Sequence, residues 1–562
     1  MENIQNNSWQ EPEKGNVPQQ SFPINTAADI SPIQGSVPVY NPGGIPQQTR
    51  KPDTVQTKKM KENFHIFGLA SFLYACLYAF CMYRNSSGVT YPFFVAGSLF
   101  YICFCFAKLE ISLKKGSSFY MVSMMLLAVS TFCTDDGRIV ALNKLGVFLL
   151  TISFLLSVLY DTRKWDLGKY LGTICQTVFM AIGELGRPFE DAHWYMKNKM
   201  NRKNSKLLYM VLGLVIALPI FTVVFLLLVS ADAVFRDMTE RILEHFSLGN
   251  VMLVLVMWAF MFLASYCILS YLCKKSINPQ VKDHRKGEPI IAITIATLLS
   301  LLYMAFSAIQ IVYLFLGKMT LPSGYTYAEY AREGFFQLLA VSVLNLIFVL
   351  IGLGFFKESK LLKGILTVMS LCTYIMIASS AMRMIIYIRW YYLTFLRIFV
   401  LWSLVVLFLV FTGIIISILK ESFPLFRYSM VVVTVCYMVL SFSHPDYWIA
   451  KVNVASMNPE TRSEFFEGDA YTDYRFLSKL SADAAPVLIG VMQEQGYDLN
   501  AYYLERPWEA AADAPTRKSL QSFGYYYLGD LKKRNEHISF RTFNVSRYMA
   551  ELQIERATNH GK

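Results

Sequence analysis

The chain has 562 residues, of which 54% are hydrophobic and only 16% charged, with a mean hydropathy of +0.38. A soluble chain carries about a quarter of its residues as charges, so this composition excludes an ordinary cytosolic enzyme. The net charge of +12 would suit a nucleic-acid binder, but in so apolar a chain it reads as a cytoplasm-facing bias of membrane loops.

Residues 1–57 hold eight of the twenty prolines, with many Gln, Asn and Ser and no apolar periodicity. That composition predicts a disordered cytoplasmic tail suited to a protein partner. Nothing in it reads as a cleavable signal peptide, because the first apolar run starts only near Phe64.

Eleven long apolar runs follow, at 64–83, 91–107, 119–133, 145–160, 207–229, 251–273, 290–316, 335–356, 364–382, 398–419 and 428–443, and none contains Asp, Glu, Lys or Arg. A charge at the centre of a membrane helix costs about 2.5–3.5 kcal/mol, so charge-free runs of this length belong in lipid. Several are shorter than the roughly 20 residues that cross a bilayer, and their helices are expected to extend past these limits. Lys144, just before the fourth run, is placed to snorkel to the interface. The fold class is therefore all-α, a polytopic helical membrane domain over 58–443.

The stretch 168–186 is different. Leu171, Ile174, Cys175, Val178, Ile182 and Leu185 recur at helical spacing, with Lys169, Thr173, Gln176, Thr177 and Glu184 between them. This predicts an amphipathic helix along the interface, not a span. With eleven spans and the N-terminus inside, the inner segments hold 27 Lys and Arg against 10 in the outer connections. A crossing at 168–186 would turn Arg187, Lys197, Lys199, Arg202, Lys203 and Lys206 outward, against the positive-inside bias. The expected location is the bacterial cell membrane, multi-pass, with a cytoplasmic N-terminus and an extracytoplasmic C-terminus.

Residues 444–562 carry 14 basic and 16 acidic residues and many Tyr and Phe. Helical spacing of Tyr474, Leu477 and Leu480, of Val487, Leu488, Val491 and Met492, and of Val545, Tyr548, Met549 and Leu552 predicts a small helical extracytoplasmic domain. None of the ten cysteines lies in it, so no disulfide framework is expected there.

Phosphate loops, dinucleotide fingerprints, His-Glu-x-x-His and Cys-x-x-Cys pairs are missing from the sequence, and the seven histidines are scattered. Neither a metal nor another cofactor is expected. His65 reads as a helix-end group. What stands out is a set of charges at the outer ends of spans: Asp232 and Arg236, then Glu329, Arg332 and Glu333 on one helical face, then Arg383 and Arg389. Two readings stay open. In one, acid–base pairs lock helix ends together within a belt of tyrosines. In the other, the charges line an outward polar pocket for a lipid headgroup, an envelope precursor or a small solute. Gln310, Gln337 and Asn345 lie deeper and read as hydrogen-bonding glue between helices. Ser-Ala-Asp-Ala occurs at 230–233 and again at 481–484, and both copies read as helix caps.

Ser230–Phe235, the Tyr327–Leu338 motif, the Arg383–Arg397 stretch with Leu393-Thr394, and Leu480–Pro486 together resemble the signatures of a family. It is a group of bacterial polytopic membrane proteins catalogued as a domain of unknown function, the 4153/4173-like group. The resemblance runs over roughly 60–550 and departs from the pattern at Lys451-Val452-Asn453. It implies fold and membrane location, and no substrate or catalytic residue. The function expected is non-enzymatic envelope sensing, scaffolding or solute handling, with membrane lipids as partners and no nucleic acid. The alternatives are a membrane enzyme on a lipid-linked substrate, with Glu333 or Asp232 as acid or base and Arg383 or Arg389 on a phosphate, and a facilitative transporter.

Overall fold

The computed structural model describes residues 53–162, 165, 167–199, 248–274, 285–312, 327–420, 422–456, 476–494, 497–504, 520–536 and 538–559, with scattered positions between 210 and 238. The stretch 53–562 forms one unit, and residues 1–52 lie outside the described residues. The last positions of the expected tail are already helical. Thr54 caps α1 (Val55–Glu62), its hydroxyl accepting from the Thr57 amide at 3.2 Å.

The protein is an all-α polytopic membrane protein. Its first helices are α2 (Phe64–Met82), α3 (Thr90–Lys108), α4 (Ser117–Cys133), α5 (Gly137–Leu159), α6 (Leu167–Ile182) and α7 (Arg187–Lys199). Then come α8 (Leu248–Cys273), α9 (Pro289–Gln310), α10 (Tyr327–Phe355), α11 (Lys360–Tyr391), α12 (Phe395–Leu419) and α13 (Leu425–Phe442). Nine of these are long and apolar enough to cross a membrane, and α4 is apolar but shorter. Ten of the eleven runs thus coincide with helices among the described residues, while the run 207–229 lies mostly outside them. α5 begins well before the run that announced it, because Asp136 caps it and accepts from the Arg138 amide at 2.9 Å. Lys144 is therefore inside the helix, its ammonium 5.8 Å from the centre of the Tyr91 ring.

The turns sort to two ends of the bundle. The turns near 83–89, 134–136 and 392–394 all touch the C-terminal helices. The Arg84 guanidinium also reaches Asn250, which puts the start of α8 at this docked end. At the far end, Lys114 donates to the carbonyls of Ser157 and Tyr160, Lys59 pairs with Glu110, and Thr54 donates to the Cys273 carbonyl. Alternation of ends along the chain is what successive crossings produce. α1 and the C-terminal helices accordingly lie at opposite ends.

α6 does not cross. Tyr170 in its first turn packs on Phe426, and Glu184 just beyond it pairs with Lys274, both at the far end. Its buried face mixes polar and apolar residues. Tyr170, Thr173, Ile174, Thr177 and Glu184 are buried, whereas Leu171, Phe179, Ile182 and Leu185 are exposed. The polar side turns inward because α8 supplies partners for Glu184, and lipid is an adequate solvent for the apolar side. In the last helix described, Ser546, Ala550 and Ile554 are buried and Tyr548 and Met549 are exposed.

The membrane core has two main clusters, one built on α2–α8 and one on α9–α12, with α13 packed against the first. A third cluster belongs to the C-terminal helices: α14 (Pro445–Ser456), a 3-10 turn at Ala482–Ala484, α15 (Ala485–Glu494), a second 3-10 turn at Leu499–Tyr503, α16 (Leu520–Asn535) and α17 (Val545–Asn559). Leu393, from the turn between α11 and α12, is part of it.

Candidate functional site

The turn between α4 and α5 reads Thr134-Asp135-Asp136-Gly137-Arg138, two carboxylates side by side at the end of two membrane helices. Unpaired, they would be costly to bury. Both are buried, and the C-terminal helices supply much of what neutralises them. The Arg534 guanidinium of α16 donates to Asp135 at 2.8 Å, and Arg547 of α17 donates to its other oxygen at 2.6 Å. Asp136 holds Arg138 through two contacts of 2.9 Å, and Arg138 reaches on to Asp446 at the start of α14.

Asp483 is the knot between the elements. It lies in the 3-10 turn and is 6% exposed, and it accepts from the Thr134 hydroxyl, the Ser546 hydroxyl and the Asp135 amide, the last at 3.1 Å. His444, in the turn after α13, brings Nδ1 to 3.4 Å from it. Asp446 accepts from the Ser481 amide at 2.9 Å. Asn544 caps α17 and donates to the carbonyls of Ser87 and Thr134 at 3.0 and 2.9 Å. Four buried aspartates thus face three arginines, with His444 beside Asp483.

The electrostatics follow from these contacts. Burial pushes Asp483 up, but hydrogen bonds from His444, Ser546 and Thr134 outweigh it and hold the carboxyl below its ordinary range. The hydrogen bond to Asp483 raises His444, against burial, which opposes it. Burial, and then the neighbouring Asp136, push Asp446 up despite Arg138. Asp483 stands between Ser546 and His444, which is not the order of a nucleophilic triad, where the base contacts the serine. Among the described residues, no group of three or more His, Cys, Asp or Glu could hold a metal ion.

Two further ties complete the dock. Asn453 of α14 accepts from the Leu393 amide at 2.7 Å and donates to its carbonyl at 2.9 Å. The preceding Tyr392 sits at a φ of +67°, and Arg397 donates to the carbonyls of Tyr391 and Tyr392. Arg541 caps the end of α2, donating to the carbonyls of Phe80 and Tyr83 at 3.1 and 3.0 Å. Beside it the chains come so close that a Cβ on Gly88 would stand 2.2 Å from the Arg541 carbonyl oxygen.

The charges singled out from sequence are placed differently. Asp232 and Arg236 serve their own turn: Asp232 accepts from the Phe235 amide at 2.7 Å, and Arg236 donates to the Val229 carbonyl at 3.1 Å. The two Ser-Ala-Asp-Ala copies therefore diverge. The first is a cap, whereas Asp483 of the second bonds other elements and the Ser481 side chain makes no capping bond. Glu329, Arg332 and Glu333 lie on α10, and their side chains are outside the described residues. Arg389 is exposed near the end of α11. Arg383 is buried, lies 3.4 Å from the Gln310 oxygen and packs on α10 at Gly334, where a Cβ would meet it at 1.8 Å. Gln310 also accepts from Ser379 at 2.6 Å, and Asn345 donates to Thr373 at 3.0 Å, so these amides do join helices.

The profile of a family described as a domain of unknown function (DUF4153) matches residues 121–491, well over half of the chain. The chain belongs to that family. No curated protein and no solved structure matches it. The matched stretch takes in the 134–138 turn, His444, Asp446 and Asp483, and it stops before Arg534, Asn544, Ser546 and Arg547. Sequence reasoning missed this network. The signal was there in Thr134-Asp135-Asp136, two acids in a short turn between spans, and in His444-Pro445-Asp446 directly after the last one.

Proposed function

We propose that this DUF4153 protein is a non-enzymatic sensing or scaffolding component of the bacterial cell membrane, in which the C-terminal helices on the extracytoplasmic side couple an external signal to the membrane bundle. One observation carries the reading: Asp135 and Asp483 each accept from two or more elements distant in sequence, so their bonding joins the C-terminal helices to the bundle. Carboxylates engaged in this way hold surfaces in register. The Lys and Arg excess of the inner segments supports the orientation.

A specific observation favours solute handling as a second reading. Arg383 lies about 13 Å below the α11–α12 turn at 1.5 Å per residue, and a buried charge inside a membrane helix is a functional candidate by default.

Complementation of a deletion strain separates the two. Under the first reading, Asp483→Asn and Arg547→Ala abolish complementation with the protein still in the membrane, and Arg383→Gln is tolerated. Loss of complementation by Arg383→Gln, with the C-terminal helices still protected from protease, would overturn the first reading in favour of the second. Reporter fusions after residues 204 and 562 check the orientation and should read inside and outside respectively.

A further inference from the structure

At the far end of the bundle, a cavity of about 540 Å³ opens between α4, the end of α5 and the start of α13. Its polar lining is the segment Lys114-Lys115-Gly116-Ser117 that leads into α4, the stretch 160–162 after α5, and Arg427. Phe426 and Met430 of α13 form an apolar side.

Three observations there point to an anion. Gly116 is the N-cap of a 17-residue helix, has a φ of +101° and offers no side chain to the first amides. A Cβ added to it would meet nothing within 4 Å, so the space before the helix is open. The Ser117 and Phe119 amides already donate to the Lys114 and Gly116 carbonyls at 3.1 and 3.2 Å, so what this N-terminus offers a ligand is the Ser118 amide and the positive end of the helix dipole. Ser117, on the cavity wall, is only 5% exposed, yet its hydroxyl has no hydrogen-bond partner among the described residues. Buried hydroxyls ordinarily find a partner, so one left over beside a helix start is available to a ligand. Finally, three basic side chains line the cavity against one carboxylate, Asp161, a net positive lining. Lys114 is anchored by the Ser157 and Tyr160 carbonyls, while Lys115 and Arg427 are exposed.

We infer that this cavity binds a phosphate group, held by the N-terminus of α4, the Ser117 hydroxyl, Lys115 and Arg427. An apolar wall beside a basic mouth suits the phosphate of a lipid headgroup whose chains lie along α13, and the same donors suit a free phosphate.

The test uses the full-length protein in a phosphate-free detergent, with three probes: dioctanoyl phosphatidylglycerol, inorganic phosphate, and dioctanoylglycerol, which lacks the phosphate. Binding is read by native mass spectrometry and by the shift in thermal midpoint. The phosphatidylglycerol should bind and dioctanoylglycerol should not. The K115A/R427A double variant should weaken binding about tenfold for each of the two charges removed. Both residues are exposed, so the unliganded midpoint should not move. Ser117→Ala separates a ligand-binding role from a structural one: it should leave unliganded stability unchanged or higher and still weaken binding. Comparable affinity for inorganic phosphate would assign the site to a soluble phosphate, and lipid binding alone would assign it to a headgroup. Failure of both phosphate probes to bind, or equal binding by wild type and the double variant, would overturn the inference.

Discussion

Asp483→Asn tests the dock most directly. The substitution keeps size and shape but removes the charge and turns one acceptor into an NH2 donor. Three of the wild-type contacts come from donors that cannot accept in return without reorienting: the Asp135 amide, and the Thr134 and Ser546 hydroxyls as they now point. A hydrogen bond to a charged group contributes about 1.5–3 kcal/mol, and breaking a buried charge pair by changing one partner costs about 3–5 kcal/mol. Because the three hydrogen bonds share one carboxylate, they do not add, and a destabilisation of about 3–5 kcal/mol is the reasoned figure. It falls on docking, since the helices of the membrane core keep their own clusters. Amide hydrogen exchange in α15 and α17 should then accelerate by about two to four orders of magnitude, at about 1.36 kcal/mol per tenfold, with α2–α5 little changed. Unchanged exchange in α15 and α17 would refute the idea that Asp483 holds the dock together.

The pH dependence has a definite sign. His444 is raised by its contact with Asp483, so its contribution is fully present below about pH 6.5 and is lost as pH rises through its higher folded value. Asp483 is depressed, so its contribution stands above its ordinary value near 3.8 and fails only as pH falls through the lower folded value. Protease resistance of the C-terminal helices should therefore decline from mildly acidic to alkaline pH, and His444→Ala should flatten that decline. Asn453→Ala leaves the Leu393 amide and carbonyl without their side-chain partner and should lower the thermal midpoint by an amount equivalent to about 2–4 kcal/mol. Gly334→Ala forces the Arg383 guanidinium off α10. It should destabilise the α9–α12 half, seen as reduced yield of folded protein in detergent, whereas Gly354→Ala, with open space around it, should be neutral.

The membrane helices were legible because charge-free runs leave few alternatives to lipid. Helix ends were less legible, since α5 starts at a cap several residues before its apolar run. Which face of α6 meets protein was not legible: periodicity says that a helix has two faces, not which one packs, and next to lipid the side with Thr173, Thr177 and Glu184 goes inward. The dock escaped for a different reason. Thr134, Asp135, Asp446, Asp483, Arg534 and Ser546 come from separate stretches of the chain, and no local spacing rule connects them. The tetrapeptide at 481–484 looked like the one at 230–233, and only its surroundings made Asp483 a junction.

The placing of Arg534 and Arg547 also sets an order of assembly. Asp135 enters the membrane surface with the first spans, while both guanidinium partners sit in α16 and α17, 399 and 412 residues later. Until those helices are translated and carried to the same side as the 134–136 turn, that carboxylate waits in water and the turn stays open. A chain inserted with one crossing too few would bring its C-terminus to the wrong side and leave Asp135 without both cations. The dock thus closes only when the C-terminal helices and the 134–136 turn lie on the same side of the membrane.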